Sequence, residues 1–487
     1  MGGGANMRVK LHEYAIGSAL LAAALLATAH AADSPSAAKR AAVQSVDRHA
    51  RELTGLSDQV WAFAEIALRE YKSSAALADY AAQQGFRVER GVAGMPTAFV
   101  ASYGEGRPII GVMGEYDALP GLSQKAVPEK VPLVPGAPGH GCGHNMFGAA
   151  SLGAALAIKE QIEKGALKGT IRFYGTPAEE NIGGKIYMAR DGLFDDVDVM
   201  LAWHPGDETL TDMNSSQAMV DLAVEFRGKA AHAAADPWNG RSAADALEIF
   251  LVGLNFMREH VRPTSRMHYT IVSAGDVPNV VPEYAKAWVW LRDWKRSEVE
   301  SLLARVRKLA SGAAEMTETT ATVKVQGGDW EVLTNVAGAR LVQANLQWLG
   351  PQSYDEAEQS FARAIQRATG VAEVGMDASV KPLEGQELRG HSTDVGDVSW
   401  VTPTLTATIA TAPVDTPWHA WPVVATGGMS IGHKGLLRAS KVLAATMVDL
   451  YESPAAVEQI RAEFKAKKGD ATYKAYIPDG PPPVPKD

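Results

Sequence analysis

Three short runs in the chain combine residue types that bind divalent metals or move protons. The first is His140-Gly141-Cys142-Gly143-His144-Asn145. Its alternating glycines let the backbone bend so that Cys142 and His144 converge on one ion, and thiolate and imidazole both suit zinc and similar metals. The run also precedes an expected helix, whose positive end favours a thiolate. Cys142 is the only cysteine, which excludes an internal disulfide framework. Core filler, nucleophile and metal ligand remain, and core filler is the commonest fate of a free thiol. The second run ends in Glu179-Glu180. Neighbours on extended chain point to opposite sides, so one carboxylate can bind metal while the other faces the water being activated. Two solvated acids in a loop are the more frequent outcome, but the apolar strand before the pair and Gly183-Gly184 after it favour the functional one. The third run is Trp203-His204-Pro205. A lone histidine there is usually structural; two further candidate ligands at neighbouring strand ends change the balance.

The elements that must carry these runs follow from hydrophobic patterning. Residues 38–85 read as helical from the spacing of Val60, Phe63, Ile66 and Leu68, and 146–159 as a helix of small residues. Apolar stretches at 109–113, 170–174 and 197–202 read as strands. Their alternation with helices predicts an α/β layer with functional residues at the strand ends. Near Met213 the pattern changes to strand 219–226, helix 243–259, strands 269–273 and 285–291, helix 298–314 and strand 320–325. That β-α-β-β-α-β order is ferredoxin-like. The expected division is a signal peptide at 1–31, catalytic domain at 38–212 and 331–455, an inserted domain at 213–330 and a tail at 456–487. Residues 351–390 are weakly patterned, either a helical excursion or a mobile loop, and the Pro-rich end from Pro478 reads as disordered.

At 487 residues, 46% hydrophobic, the chain has ample material for two cores. A formal net charge of -9 argues against a general nucleic-acid surface. An anionic substrate would therefore be drawn in by local Arg or Lys. Met7-Arg8-Val9-Lys10, an apolar stretch to Ala29 and the A-x-A site Ala29-His30-Ala31 read as a cleaved signal peptide, giving a periplasmic or secreted protein. An uncleaved anchor is the alternative.

In this order, the three runs resemble the M20 family of metallopeptidases and amidohydrolases. The supporting runs are Gly114 to Leu119, Gly228-Lys229-Ala230-Ala231-His232-Ala233-Ala234 and Asn279-Val280-Val281-Pro282. The match is closest to the amidohydrolase branch, with its H-x-C-G-H-[DN] motif. Within that branch, Gly139 to Ala150 and Thr416-Pro417-Trp418-His419-Ala420-Trp421 resemble the aminobenzoyl-glutamate hydrolase B-subunit group. The resemblance implies a mixed-sheet α/β catalytic domain with helices on both faces and an inserted ferredoxin-like dimerisation (lid) domain. It also implies two divalent ions, zinc or manganese, held by Cys142, His144, Glu180, His204 and a C-terminal histidine. His419 fits that last position best, with His433 as competitor. Glu179 would take a proton from the attacking water and deliver it to the leaving amine, a division that general acid–base chemistry also favours. Asp117 would buttress the metal site.

The same resemblance gives the lid its roles. His232 would reach across a homodimer to stabilise the partner site's oxyanion; a surface histidine on an edge strand is the plain alternative. Asn279 and Arg292 would bind the substrate carboxylate. Arg241 would either cap a helix or read a second carboxylate. Two departures stand out: Glu115 occupies a position where many M20 peptidases have a metal-binding His and is not counted as a ligand, and Asn145 replaces an Asp. The B-subunit relatives are expected to be cytoplasmic and to work with an A subunit, unlike an exported chain. The expected reaction is hydrolysis of an amide in aminobenzoyl-glutamate, another N-acyl amino acid, or an aromatic amide-linked toxin. A dipeptidase or carboxypeptidase of the same fold, and a catalytically silent carboxylate-binding homologue, are the rivals.

Overall fold

The apolar runs at 109–113, 170–174 and 197–202 form the centre of a seven-stranded sheet in the computed structural model, which describes residues 34–385 and 391–485. The expected signal segment, 1–31, lies outside the described residues. The strands in chain order are β1 (Arg87–Arg90), β2 (Phe99–Glu105), β3 (Ile109–Gly114), β4 (Gly169–Gly175), β5 (Val199–Gly206) and β6 (Leu210–Asp212). Next come β7 (Ala218–Arg227), β8 (Arg266–Ser273), β9 (Tyr284–Asp293) and β10 (Thr320–Gly327), and finally β11 (Thr404–Ala410). The large sheet runs β1-β2-β4-β3-β5-β11-β6. Its centre, β4-β3-β5-β11, is parallel, and its outer pairings are antiparallel. Successive residues of β3, β4 and β5 are buried, as expected where helices cover both faces of a sheet. From β3 the chain crosses to β4 on one side and then to β5 on the other. Such a reversal opens a crevice outside the carboxyl ends of the strands.

Helix His144–Glu163 packs along this centre and is buried almost all round, which is why it carries no polar face. A Cβ at Gly153 would lie 2.5 Å from Leu53 and 2.7 Å from Ser440, so glycine there lets helices Ala50–Phe63 and Ser430–Glu452 approach closely. The stretch 38–85, which reads as helical, forms three helices, Ala37–Arg48, Ala50–Phe63 and Tyr71–Gln83. Ala64 and Leu68 adopt left-handed conformations that break it, and the Glu65 carboxylate caps the restart by accepting the Lys72 and Ser73 amides. The weakly patterned 351–390 stretch contains helix Glu356–Thr369, started by an Asp355/Glu358 capping box; residues 386–390 lie outside the described residues.

The insert forms its own sheet, β10-β7-β9-β8, antiparallel throughout. Helices Ala243–Met257 and Arg296–Met316 cover one face through a separate core that includes Leu222, Val224, Phe226, Leu247, Phe250 and Val306. This is the ferredoxin-like arrangement. Strand β8 is an edge, and Tyr269, Ile271 and Val272 on it are exposed. Where the chain enters and leaves the insert, the Arg296 guanidinium donates to both Met219 O and Asp329 O. After residue 455 the chain continues in helix Pro454–Lys468, and then an irregular run places Tyr473 against Trp330 and Tyr476 against Arg296. No helix among the described residues is long and apolar enough to cross a membrane.

Candidate metal and proton-transfer site

All the chemistry-bearing runs reach the carboxyl ends of the parallel strands. Glu115 and Asp117 follow β3, Glu179 and Glu180 follow β4, His204 ends β5, and His419 lies in the loop after β11. The 140–144 run joins them because Gly143 takes a left-handed φ of 79° at the start of helix His144–Glu163. A Cβ on Gly143 would also sit 2.9 Å from the Pro205 ring, so the glycine is needed twice over.

Three overlapping groups of donors result: Cys142, His144 and His204; Cys142, Glu180 and His419; and Glu115, His144 and Glu179. Within each, the ligand atoms lie within 4.8 Å of one another. The imidazoles are oriented from behind. His144 Nδ1 donates to Asp117 Oδ1 at 2.9 Å, and His204 Nδ1 donates to Pro205 O at 2.7 Å, so both Nε2 atoms face the cluster. Asp117 Oδ2 also accepts the Glu180 amide at 2.9 Å, tying two candidate ligands to one carboxylate. His419 Nε2 is 3.5 Å from Glu180 Oε2, whereas His433 pairs with Asp58 at 2.7 Å and joins no donor group. His140 donates to Val60 O, and Asn145 donates to Ser57 and Gly427; both hold the loop in place.

This donor set fits a divalent cation. Glu180 Oε1 is buried without a hydrogen-bond partner among the described residues, an arrangement that is costly unless something else fills it, and His144 Nε2 and Glu115 Oε2 face only each other, at 3.0 Å. Burial pushes the Cys142 thiol up to about 12, so without a cation it is a neutral thiol and a poor nucleophile. Burial raises Glu180 to about 7, and it raises Glu179 well above the usual carboxylate range with help from Glu115, Asp394 and Glu180. Burial opposes a charge on His144, yet Glu115, Cys142 and Asp117 hold it well above the ordinary histidine range. Crowded carboxylates of this kind favour a cation.

Part of that charge is balanced by a residue that no sequence motif marks. Lys185 is fully buried, 2.6 Å from Glu115 and 2.7 Å from Asp394. Although burial works against it, Lys185 together with His144 keeps Glu115 below the usual carboxylate range. Glu115, set aside as a ligand on sequence grounds, therefore lies inside the cluster, 3.0 Å from His144 Nε2.

Residues 214–318 match the peptidase dimerisation domain of M20 proteins. The chain is 36% identical over 475 residues to the B subunit of the p-aminobenzoyl-glutamate hydrolase of Escherichia coli (strain K12), covering 91% of this chain and 98% of that protein. It belongs to the M20 family. Over 449 residues it is 29% identical to the Xaa-Arg dipeptidase of Mus musculus, covering 88% of this chain and 92% of the relative. A dinuclear metal-binding M20 peptidase of Bacillus subtilis shares the fold with a TM-score of 0.58 at 18% identity, covering 83% of this chain and 99% of that one.

In this M20 chain the lid residues stand apart from the donor cluster. His232 is exposed, and its Nδ1 accepts the amides of Ala234 and Ala235 at 3.2 Å, which leaves the proton on Nε2. The Asn279 carbonyl accepts the Ala233 amide and so holds the same loop. The Arg292 guanidinium stacks over Trp290 and donates to Ser392 at 3.5 Å. Arg241 pairs with Glu318 at 2.7 Å, and Ser242, not Arg241, caps helix Ala243–Met257. The geometry separates the two C-terminal histidines by experiment. His419→Ala is expected to weaken metal binding by at least about 10-fold, the loss typical of removing even an outer partner. His433→Ala should leave metal content unchanged by elemental analysis.

Proposed function

We propose that this M20 hydrolase is a dinuclear metal-dependent amidohydrolase acting on N-acyl or N-aroyl amino acids. The observation that carries the reading is the convergence of Cys142, His144, His204, Glu180 and His419 beside a sixth group, Glu179, which can serve as base. Bound divalent ions, zinc or manganese, would polarise the scissile carbonyl and make the attacking water more acidic. The chain's own groups do the rest. A Glu179 carboxylate oxygen takes the proton of the attacking water and returns it to the departing amine nitrogen. His232 Nε2–H, pointing outward from a lid whose β8 edge is exposed, donates to the oxyanion of a partner chain's site. Arg292, in no ion pair among the described residues, forks onto the free carboxylate of the amino-acid half, and Asn279, from the His232 loop, adds a second polar contact to it.

The reading includes a homodimer paired through the lid and an exported, signal-cleaved chain; similarity to a B subunit makes an A-type partner an alternative assembly. Its test is a panel of aminobenzoyl-glutamate, other N-acyl and N-aroyl amino acids, and dipeptides, assayed before and after chelation. Turnover of the acylated amino acids, lost on chelation and restored by zinc or manganese, is the expected result. Preference for dipeptides would assign the chain to peptidases. No turnover anywhere on the panel would assign it to silent binders.

A further inference from the structure

The Glu179-Glu180 pair leaves β4 through a backbone kink at Ala178, which has a φ of 63° despite its side chain. A non-glycine residue holds that conformation only where its surroundings enforce it. The amide before the kink is gripped by Glu70, a residue with no exposed surface, whose Oε1 accepts the Ala178 N–H at 2.9 Å. The other oxygen of Glu70 accepts the Thr97 hydroxyl at 3.0 Å, and the Thr97 carbonyl in turn accepts the Tyr116 hydroxyl. On the far side, the Ala178 carbonyl accepts the Ile182 and Gly183 amides at 3.2 and 3.0 Å. Two residues on, the Glu180 amide is held by Asp117. The amides flanking Glu179 are therefore clamped by two buried carboxylates that come from different parts of the chain.

Glu70 touches none of the donor atoms in the cluster, and the reaction as derived leaves it without a role. We propose that Glu70 is a positioning residue: by fixing the left-handed kink at Ala178, it aims the Glu179 carboxylate at the attacking water. This rests on the reading of Glu179 as base. If the clamp is lost, Ala178 relaxes toward negative φ, the peptide before Glu179 rotates, and the carboxylate swings off its line. Reach matters here more than charge. A glutamine at 70 can accept the Ala178 N–H with its oxygen and donate its amide to the Thr97 hydroxyl, which can reverse its role. An aspartate keeps the carboxyl group but is one methylene short of spanning both partners.

The test compares Glu70→Gln, Glu70→Asp and Glu70→Asp combined with Ala178→Gly in the metal-loaded full chain, with Glu179→Gln alongside. The substrate is the best acylated amino acid of the panel. Glu70→Gln should stay within about 3-fold of wild-type kcat, while Glu70→Asp should lose about 100-fold in kcat, the scale set by misplacing a catalytic group by roughly an ångström. KM and metal stoichiometry should be unchanged in both. Adding Ala178→Gly should recover about 10-fold, because glycine adopts the kink without being held. Three results would overturn the proposal: an active Glu70→Asp, a loss shared equally by Gln and Asp, or a loss that tracks metal content. An inactive Glu179→Gln beside an active Glu70→Asp overturns the positioning role alone. An active Glu179→Gln overturns the assigned base and the positioning role together.

Discussion

Replacing Glu179 by Gln is expected to lower kcat by about 10³- to 10⁴-fold, at the upper end of what a general base contributes, while metal content stays at the wild-type level. Glutamine keeps the size and the hydrogen-bonding oxygen but cannot accept the water's proton. The metal should remain because Cys142, His144, His204, Glu180 and His419 supply the other donors, and only the group with Glu115 and His144 uses Glu179. The electrostatics suit that role. Burial and the charges of Glu115, Asp394 and Glu180 push the Glu179 carboxyl upward, which makes its anion a stronger base than a solvated glutamate. Product release measured together with elemental analysis decides the matter. A variant retaining a tenth of the turnover removes Glu179 from the base role; one losing metal in proportion to activity makes it a ligand instead.

The parts of this site visible in the sequence share one property: each sits at the end of an apolar strand or at the start of a helix. Cys142 and His144 stand out because glycines flank them, Glu179-Glu180 because it ends an apolar run, and the lid because its two periodicities alternate cleanly. What stayed hidden depends on pairings across the chain. Lys185 meets Asp394 across 209 positions, and no local pattern marks either residue as part of the site. Glu115 reads as a spectator until Lys185 and His144 are seen on its two sides. Arg241 reads as either a helix cap or a reader of a second carboxylate; the structure shows it paired with Glu318, while Ser242 caps the helix. Strands β1 and β2 are antiparallel additions to the parallel centre, and their mixed composition gives little signal. The helical reading of 38–85 holds for three helices and is interrupted at Ala64 and Leu68, two residues with good helical propensity that take left-handed backbone on either side of the Ile66 bridge to Ala118.

His232→Ala is expected to lower kcat by about 10²- to 10³-fold, the usual loss when one oxyanion donor is removed. The more decisive result comes from mixing it with Glu179→Gln. The His232 ring is fixed with its proton on Nε2 by two backbone amides, so it is a ready donor. Yet it is exposed on the lid and belongs to none of the donor groups of its own chain. The exposed β8 edge, with Tyr269, Ile271 and Val272 uncovered, is the kind of strand that pairs with a second copy. If His232 acts across a two-fold dimer, each inactive variant supplies what the other lacks. Random exchange of equal amounts then gives about half mixed dimers, each with one complete site of two, and activity returns to about one quarter of wild type. If His232 serves its own chain, every site in the mixture carries one of the two lesions, and exchange restores nothing. Activity measured before and after subunit exchange, with each variant alone as reference, separates the two arrangements without any knowledge of the natural substrate.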